Sequence, residues 1–363
     1  MSAAPSLSPA GGLPKVLIID DSAVVRGLVA RWVEADARLR VAATCPDGEQ
    51  GVRRAGELQP DLVVLDIEMP KMDGLTALPL ILKAAPRARV VMASTLTRKG
   101  AEVTLRALSL GAADYAPKPE AGRVAGAEAY RVELLEKLVA LSPSQTGRGV
   151  QAAPAAKPAP STARAAPRPG AAAKPHIIAI GSSTGGPQAL RDVMAAIPTD
   201  ARAPVVIAQH MPKLFTAILA EHLSKCGMPA AEAQHGETLR AGRAYLAPGD
   251  WHFTVKAGGA GFIAELDQSA PVNFCRPAVD PLFRSCVNAA GRDMLAVVLT
   301  GMGSDGREGA RAIRGAGGQV IAQDQASSVI WGMPGAVAEA GLADMILPLK
   351  DIGPEIARRL KGV

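Results

Sequence analysis

The sequence predicts an α/β protein of two doubly wound parallel-sheet domains, the second with an antiparallel hairpin region. Three observations predict it. Short Val-, Ile- and Leu-rich runs alternate with helical stretches. That is the pattern of strands buried on both faces and joined by crossover helices. The pattern occurs twice, over residues 15–141 and again over 176–363. Between the two lies 142–175, dominated by Ala and Pro, without an acidic residue or an apolar period. Such a stretch cannot bury enough surface to offset its ordering entropy and reads as a linker. A length of 363 residues fits two domains.

The first series runs KVLIID (15–20), RVAAT (40–44), DLVVLD (61–66), RVVMAS (89–94) and DYAPK (114–118). The second runs HIIAIG (176–181), PVVIAQH (204–210), MLAVVLTG (294–301) and QVIAQD (319–324). Residues 241–266 have closer turn signals and read as antiparallel hairpins inserted in the second domain. Residues 1–14 have neither a basic n-region nor an apolar core, so they read as a short disordered tail rather than a signal peptide.

The net charge is +6, which over a whole chain would hint at nucleic acid or another acidic surface. Its distribution removes the hint. Residues 1–141 hold 18 basic and 17 acidic side chains, the linker 5 and 0, and residues 176–363 hold 17 and 17. Neither domain is basic, and aromatic residues at 3% leave few rings for base stacking. No run approaches the roughly 18 apolar residues of a membrane span. The four cysteines, Cys45, Cys226, Cys275 and Cys286, form no CxxC pair. They are expected to be reduced structural or surface thiols.

In the first domain, Asp20, Asp21 and Asp66 close strand-like runs. In a parallel sheet those ends converge on one edge, where ligands bind. Crowded carboxylates call for a cation, and hard carboxylate oxygens suit Mg²⁺. Ser94 ends the fourth run with a hydroxyl, and Lys118 follows the fifth with a point charge suited to phosphate. IDDSAVVR (19–26), VLDIEMPKMDG (64–74), Ser94 and Lys118-Pro119 resemble a response-regulator receiver domain of flavodoxin-like fold. The resemblance implies that Asp66 takes a phosphoryl group from a histidine kinase. Asp20, Asp21, Asp66 and the backbone carbonyl of Glu68 would bind Mg²⁺. Lys118 would contact the phosphate, with Ser94 and Tyr115 as switch residues. Pro117 departs from the pattern, because proline removes a backbone donor from that loop.

In the second domain, HIIAIG runs into Gly181-Ser182-Ser183-Thr184-Gly185-Gly186-Pro187. A phosphate-cradling loop fails here, since Pro187 and Gln188 follow the last glycine where Lys and Ser/Thr are required. Gly181 to Gly185 does fit G-x-S-x-G with Ser183 at its centre, a turn that exposes a nucleophile at the sheet edge. Ser182 could instead cap the following helix. Of five histidines, His210 alone falls at the C-terminal end of a candidate central strand, and Asp305 follows the strand-like run 294–301. A hydroxyl becomes nucleophilic when a histidine takes its proton and a carboxylate orients that histidine. The order Ser…His…Asp argues against the α/β-hydrolase family, whose order is Ser…Asp…His.

IGSSTGGPQAL (180–190), QHMP (209–212), LAPGDWH (246–252), RPAVDPLF (276–283), LTGMGSDG (299–306) and WGMPGAV (331–337) resemble the catalytic domain of the chemotaxis protein-glutamate methylesterase (CheB) family. The resemblance implies a Rossmann-like catalytic domain with Ser183 as nucleophile, His210 as base and Asp305 as its partner. Thr184 and Met302 would lie beside the nucleophile, with the Met302 N–H donating to the oxyanion. It further implies a phosphorylation-activated, cytoplasmic, monomeric enzyme that is not itself membrane-embedded and binds no nucleic acid. Such an enzyme demethylates glutamate γ-methyl esters and deamidates glutamines on the cytoplasmic domains of methyl-accepting chemoreceptors. The ester hydrolysis itself would need no cofactor.

Overall fold

A computed structural model describes residues 12–118, 124–143, 174–259 and 261–361. Most of the tail expected over 1–14, most of the linker expected over 142–175, and Pro119 lie outside the described residues. The chain divides into two compact units.

Along residues 15–141 strand alternates with helix: β1 (Lys15–Ile19), α1 (Ala23–Ala35), β2 (Arg40–Cys45), α2 (Gly48–Leu58), β3 (Leu62–Asp66), α3 (Gly74–Ala84), β4 (Arg89–Thr95), α4 (Arg98–Ser109), β5 (Asp114–Lys118) and α5 (Val124–Leu141); all of these but α4 belong to the first unit. Its five strands pair in the order β2-β1-β3-β4-β5, all parallel. Each expected run became a strand, and in the central ones the side chains are buried on both faces; every residue of β3 is buried, whereas β2 at the sheet edge is mostly half-buried. Helices begin where a short acceptor precedes them. Asp47 accepts from the Gln50 N–H and Asp73 from the Thr76 N–H, a cap worth about 1 kcal/mol each. Trp32 of α1 meets Tyr130 of α5 edge to face, with ring centroids 5.9 Å apart. Pro117 sits in β5 at the sheet edge, opposite Ser94. An edge strand leaves part of its backbone unpaired, so a missing N–H is tolerated there.

The second unit contains β6 (Ile177–Ser182), α6 (Gly186–Ala196), β7 (Val205–Gln209), α7 (Phe215–Ser224), β8 (Ala230–Glu232), β9 (Thr238–Leu239), β10 (Ala244–Leu246), β11 (His252–Gly258), β12 (Gly261–Asp267), α8 (Val279–Ala290), β13 (Met294–Val298), α9 (Arg307–Gly315), β14 (Gln319–Gln323), α10 (Met333–Glu339), β15 (Met345–Leu347) and α11 (Leu349–Lys361). Seven strands form a parallel sheet in the order β15-β14-β13-β6-β7-β10-β8. β11, β12 and β9 form a separate antiparallel sheet. The hairpin reading of 241–266 therefore holds for 252–267 but not for Ala244–Leu246. That segment lies parallel between β7 and β8.

Strand order positions the site. From β6 the chain builds outward through β7, then returns to lay β13 on the other side of β6. The carboxyl ends of β6 and β13 thus flank a topological switch point, where open α/β sheets hold their ligands.

Candidate functional site

The loop after β6 carries Ser183. The Ser182 hydroxyl donates to Gln209 Oε1 at 2.7 Å. Gln209 Nε2 donates back to the carbonyls of Ser183 (3.0 Å) and His210 (3.1 Å). Gln209 is fully buried, so this amide clamps the loops after β6 and β7 together. Ser182 does not cap α6, whose N-cap is Gly185 and which has no side-chain capping bond. From the other side, the Ser183 N–H donates to the Thr300 carbonyl at 3.0 Å. Gly301 permits this approach. A Cβ there would stand 2.8 Å from the Ser183 Cβ and would collide with Met333 Sδ.

His210 follows β7, and its N–H donates to the Ser182 carbonyl at 3.1 Å. Its Nε2 lies 2.8 Å from Asp305 Oδ2. Facing a carboxylate oxygen, Nε2 carries the proton, which leaves Nδ1 as the basic nitrogen. This reverses the more familiar use of the two ring nitrogens. In the neutral ring Nδ1 accepts from the Cys275 thiol, whose sulfur is 3.4 Å away. Burial alone would lower the imidazole, but its bonds to Asp305 and Cys275 reverse the effect and push it up to about 10.

Asp305 is 1% exposed and accepts from four further donors. These are the backbone N–H groups of Val279 (2.6 Å), Asp280 (3.0 Å) and Gly306 (2.9 Å), and Asn273 Nδ2 (3.0 Å). Val279 and Asp280 open α8, whose own N-cap, Ala278, supplies no side-chain bond. Asp305 therefore serves the positive end of that helix. Burial works to raise its carboxyl, yet the bond from His210 and the backbone donors hold it below the ordinary range.

The structure thus pairs His210 with Asp305 and sets Ser183 on the adjoining strand end. Among the described residues the Ser183 hydroxyl has no hydrogen-bond partner, and Cys275 occupies His210 Nδ1. Thr184 is buried, and its carbonyl is 2.9 Å from Thr300 Oγ1. Met302 is half-buried, and its N–H has no acceptor among the described residues.

In the first unit, carboxylate oxygens of Asp20, Asp21 and Asp66 all lie within 4.8 Å of one another. Lys118 Nζ is 2.7 Å from both Asp20 Oδ2 and Asp66 Oδ1. Burial raises the Asp66 carboxyl, and Lys118 offsets only part of that rise. Asp20 and Asp66 are buried while Asp21 is exposed, so the cluster has a buried floor and an open rim. An all-carboxylate set of this kind fits a hard divalent cation. Gly74 allows α3 to start against the loop that follows β3, since a Cβ there would collide with the Asp66 carbonyl oxygen. Glu68 is exposed in the bend after β3. Ser94 is buried at the end of β4, and Tyr115 is buried in β5. Lys137 of α5 donates to the Tyr115 carbonyl at 2.6 Å and lies 4.9 Å above its ring. This pairing is set by α5 and is not visible in the strand pattern.

Comparison with known proteins gives the same two parts. Residues 16–125 match the response regulator receiver domain family, and 178–356 match the CheB methylesterase family. A protein-glutamate methylesterase/protein-glutamine glutaminase of Maricaulis maris (strain MCS10) is 57% identical over 397 residues, covering 99% of this chain and 98% of that one. This chain belongs to the protein-glutamate methylesterase/protein-glutamine glutaminase family. A family member from Azospirillum brasilense is 50% identical over 96% of this chain and 93% of its own. The crystal structure of the Thermotoga maritima CheB methylesterase catalytic domain is 40% identical, with a TM-score of 0.50. The match covers 51% of this chain and 98% of that one.

Four residues at this methylesterase centre escape a motif-by-motif reading: Gln209, Asn273, Cys275 and Thr300. Gln209 and Thr300 lay inside quoted motifs, and their polar side chains at the ends of apolar runs were a usable signal. Asn273 and Cys275 reach the site through a turn closed by a Val272–Cys275 bridge, which nothing in the sequence marks. Cys275, read from the sequence as a structural or surface thiol, is a half-buried free cysteine in contact with His210.

Proposed function

We propose that this chain hydrolyses γ-methyl esters of specific glutamates, and amides of specific glutamines, on the cytoplasmic domains of methyl-accepting chemoreceptors. Residues 176–363 act as the hydrolase, 15–141 as the phosphorylation switch, and 142–175 as the tether. The reading is carried by the His210 imidazole, which is held to Asp305 through Nε2 and keeps Nδ1 as its base, at the sheet's switch point.

His210 Nδ1 takes the Ser183 proton as Oγ adds to the side-chain carbonyl. The resulting imidazolium is stabilised by Asp305. With Thr184 and Met302 beside the nucleophile, the Met302 N–H donates to the oxygen where negative charge develops. The proton then passes from Nδ1 to the leaving methoxide or amide nitrogen, and methanol or ammonia departs. A water molecule, deprotonated by the same nitrogen, releases the glutamate. Nδ1 must exchange Cys275 for Ser183 at the start of each cycle.

In the switch domain, Asp66 accepts a phosphoryl group from the chemotaxis histidine kinase. Asp20, Asp21, Asp66 and the Glu68 carbonyl would hold Mg²⁺, which when bound supplies positive charge against the phosphoryl oxygens. Lys118 turns from Asp66 to the phosphoryl group, and Ser94 and Tyr115 relay the added charge. The protein works in the cytoplasm as a monomer. Among the described residues no helix is long and apolar enough to cross a membrane.

The test is methanol release from methylated receptor, with and without a small phosphoryl donor and Mg²⁺. Release should require Ser183 and rise with the donor. Undiminished release by a Ser183→Ala protein would overturn the assignment, and equal release by wild type without the donor would remove the switch.

A further inference from the structure

Cys275 and His210 form a second constellation that the ester hydrolysis does not need. The thiol donates to Nδ1 at 3.4 Å, and Nε2 of the same ring donates to the buried Asp305 carboxylate at 2.8 Å. A sulfur nucleophile, a base and an orienting carboxylate therefore stand in the order that activates cysteine nucleophiles. The other thiols differ. Cys45 and Cys286 are 2% and 0% exposed, and burial pushes both thiols upward. Cys226 is half-buried, but its sulfur lies 3.5 Å from the His222 backbone carbonyl, which cannot take a proton.

Access to Cys275 follows from its turn. Asn273 and Phe274 both adopt left-handed φ values, +51° and +63°. Asn273 is tied down to Asp280 and Asp305, and the next residue, Phe274, is fully exposed. A turn anchored at both ends and open at its tip holds the half-buried thiol against the base while leaving it within reach of small molecules.

We propose that Cys275 is a modification site for soft electrophiles, one that shares the base of the ester hydrolysis and silences Ser183 when modified. With an alkyl halide, the S–C bond forms as the C–halogen bond breaks. Halide leaves with the bonding pair, and the thiol proton passes to His210 Nδ1. The thioether that results has no proton to give, and its added bulk sits where the Ser183 hydroxyl must meet Nδ1. The silencing half of this inference rests on the function proposed above. The reactivity half does not.

The experiment treats the full chain with limiting iodoacetamide and follows each cysteine by peptide mass mapping, alongside methanol release. Cys275 should be alkylated about tenfold faster than Cys226, with activity falling in step. His210→Gln should slow alkylation of Cys275 and leave Cys226 unchanged. Cys275→Ala and Cys275→Ser should each keep, after treatment, the activity they had before it. Alkylation of Cys275 no faster than Cys226, or unaltered by His210→Gln, overturns the reactivity. Full activity after complete alkylation of Cys275 overturns the silencing. Absence of methanol release from untreated wild type would count against the proposed hydrolysis alone, since the alkylation rates are read without it.

Discussion

Replacing Asp305 with Asn exchanges an acceptor for a donor at the most heavily used carboxylate of the second unit. Asp305 accepts five hydrogen bonds, from His210 Nε2, Asn273 Nδ2 and the N–H groups of Val279, Asp280 and Gly306. An asparagine oxygen kept on the side of Asn273, Asp280 and Gly306 leaves its NH₂ facing His210 Nε2 and the Val279 N–H. The imidazole can satisfy that NH₂ only as the other tautomer, with its proton on Nδ1. The base then has no lone pair to offer Ser183. A tautomer error of this kind costs about 10⁴ in kcat, or about 5 kcal/mol of transition-state stabilisation. The orphaned Val279 N–H at the start of α8 costs a further ~1–3 kcal/mol of fold stability. That corresponds to a fall in Tm of roughly 2–10 °C for a domain of this size. Methanol-release kcat and thermal melting of the full chain measure both effects. A folded variant that kept more than about a tenth of wild-type kcat would refute the tautomer argument.

Three further outcomes follow from the same geometry. Gly301→Ala forces a methyl against Ser183 and Met333, so melting should drop by the equivalent of about 1–3 kcal/mol and methanol release should fall with it. Asp66→Asn should leave methanol release at its unstimulated level in the presence of phosphoryl donor and Mg²⁺, measured against a stimulated wild type. The raised His210 pKa predicts two pH effects of opposite sign. Activity should climb with pH above neutral as Nδ1 deprotonates, and in Cys275→Ala the climb should start at lower pH. Stability from the protonated ring is complete below its ordinary value of 6.5 and is lost as pH rises through about 10. Denaturant titrations should show that decline in wild type and not in His210→Gln.

Much of the fold is legible in the chain because buried parallel strands announce themselves. Each long apolar run became a strand with ends within a few residues of those expected. Other elements lacked the signal. β8, β9 and β15 span three, two and three residues, too short to display a period. β10 is bounded by turn residues and so resembled a hairpin arm, although its partners are parallel. The catalytic candidates were legible for a similar reason: Ser183, His210 and Asp305 each follow a recognisable strand. Which ring nitrogen meets Asp305 was not legible, since it depends on the rotation of one side chain. The contact of Cys275 with His210 depends on two left-handed residues in a four-residue turn; asparagine takes that conformation readily, but phenylalanine rarely does.

Ser183, His210 and Asp305 follow β6, β7 and β13, and β6 is hydrogen-bonded to the other two. The sheet cannot open at its centre and leave the site working. Turnover that persists on heating therefore shows the middle of the sheet intact, which makes an activity assay a sentinel for the core of the catalytic unit.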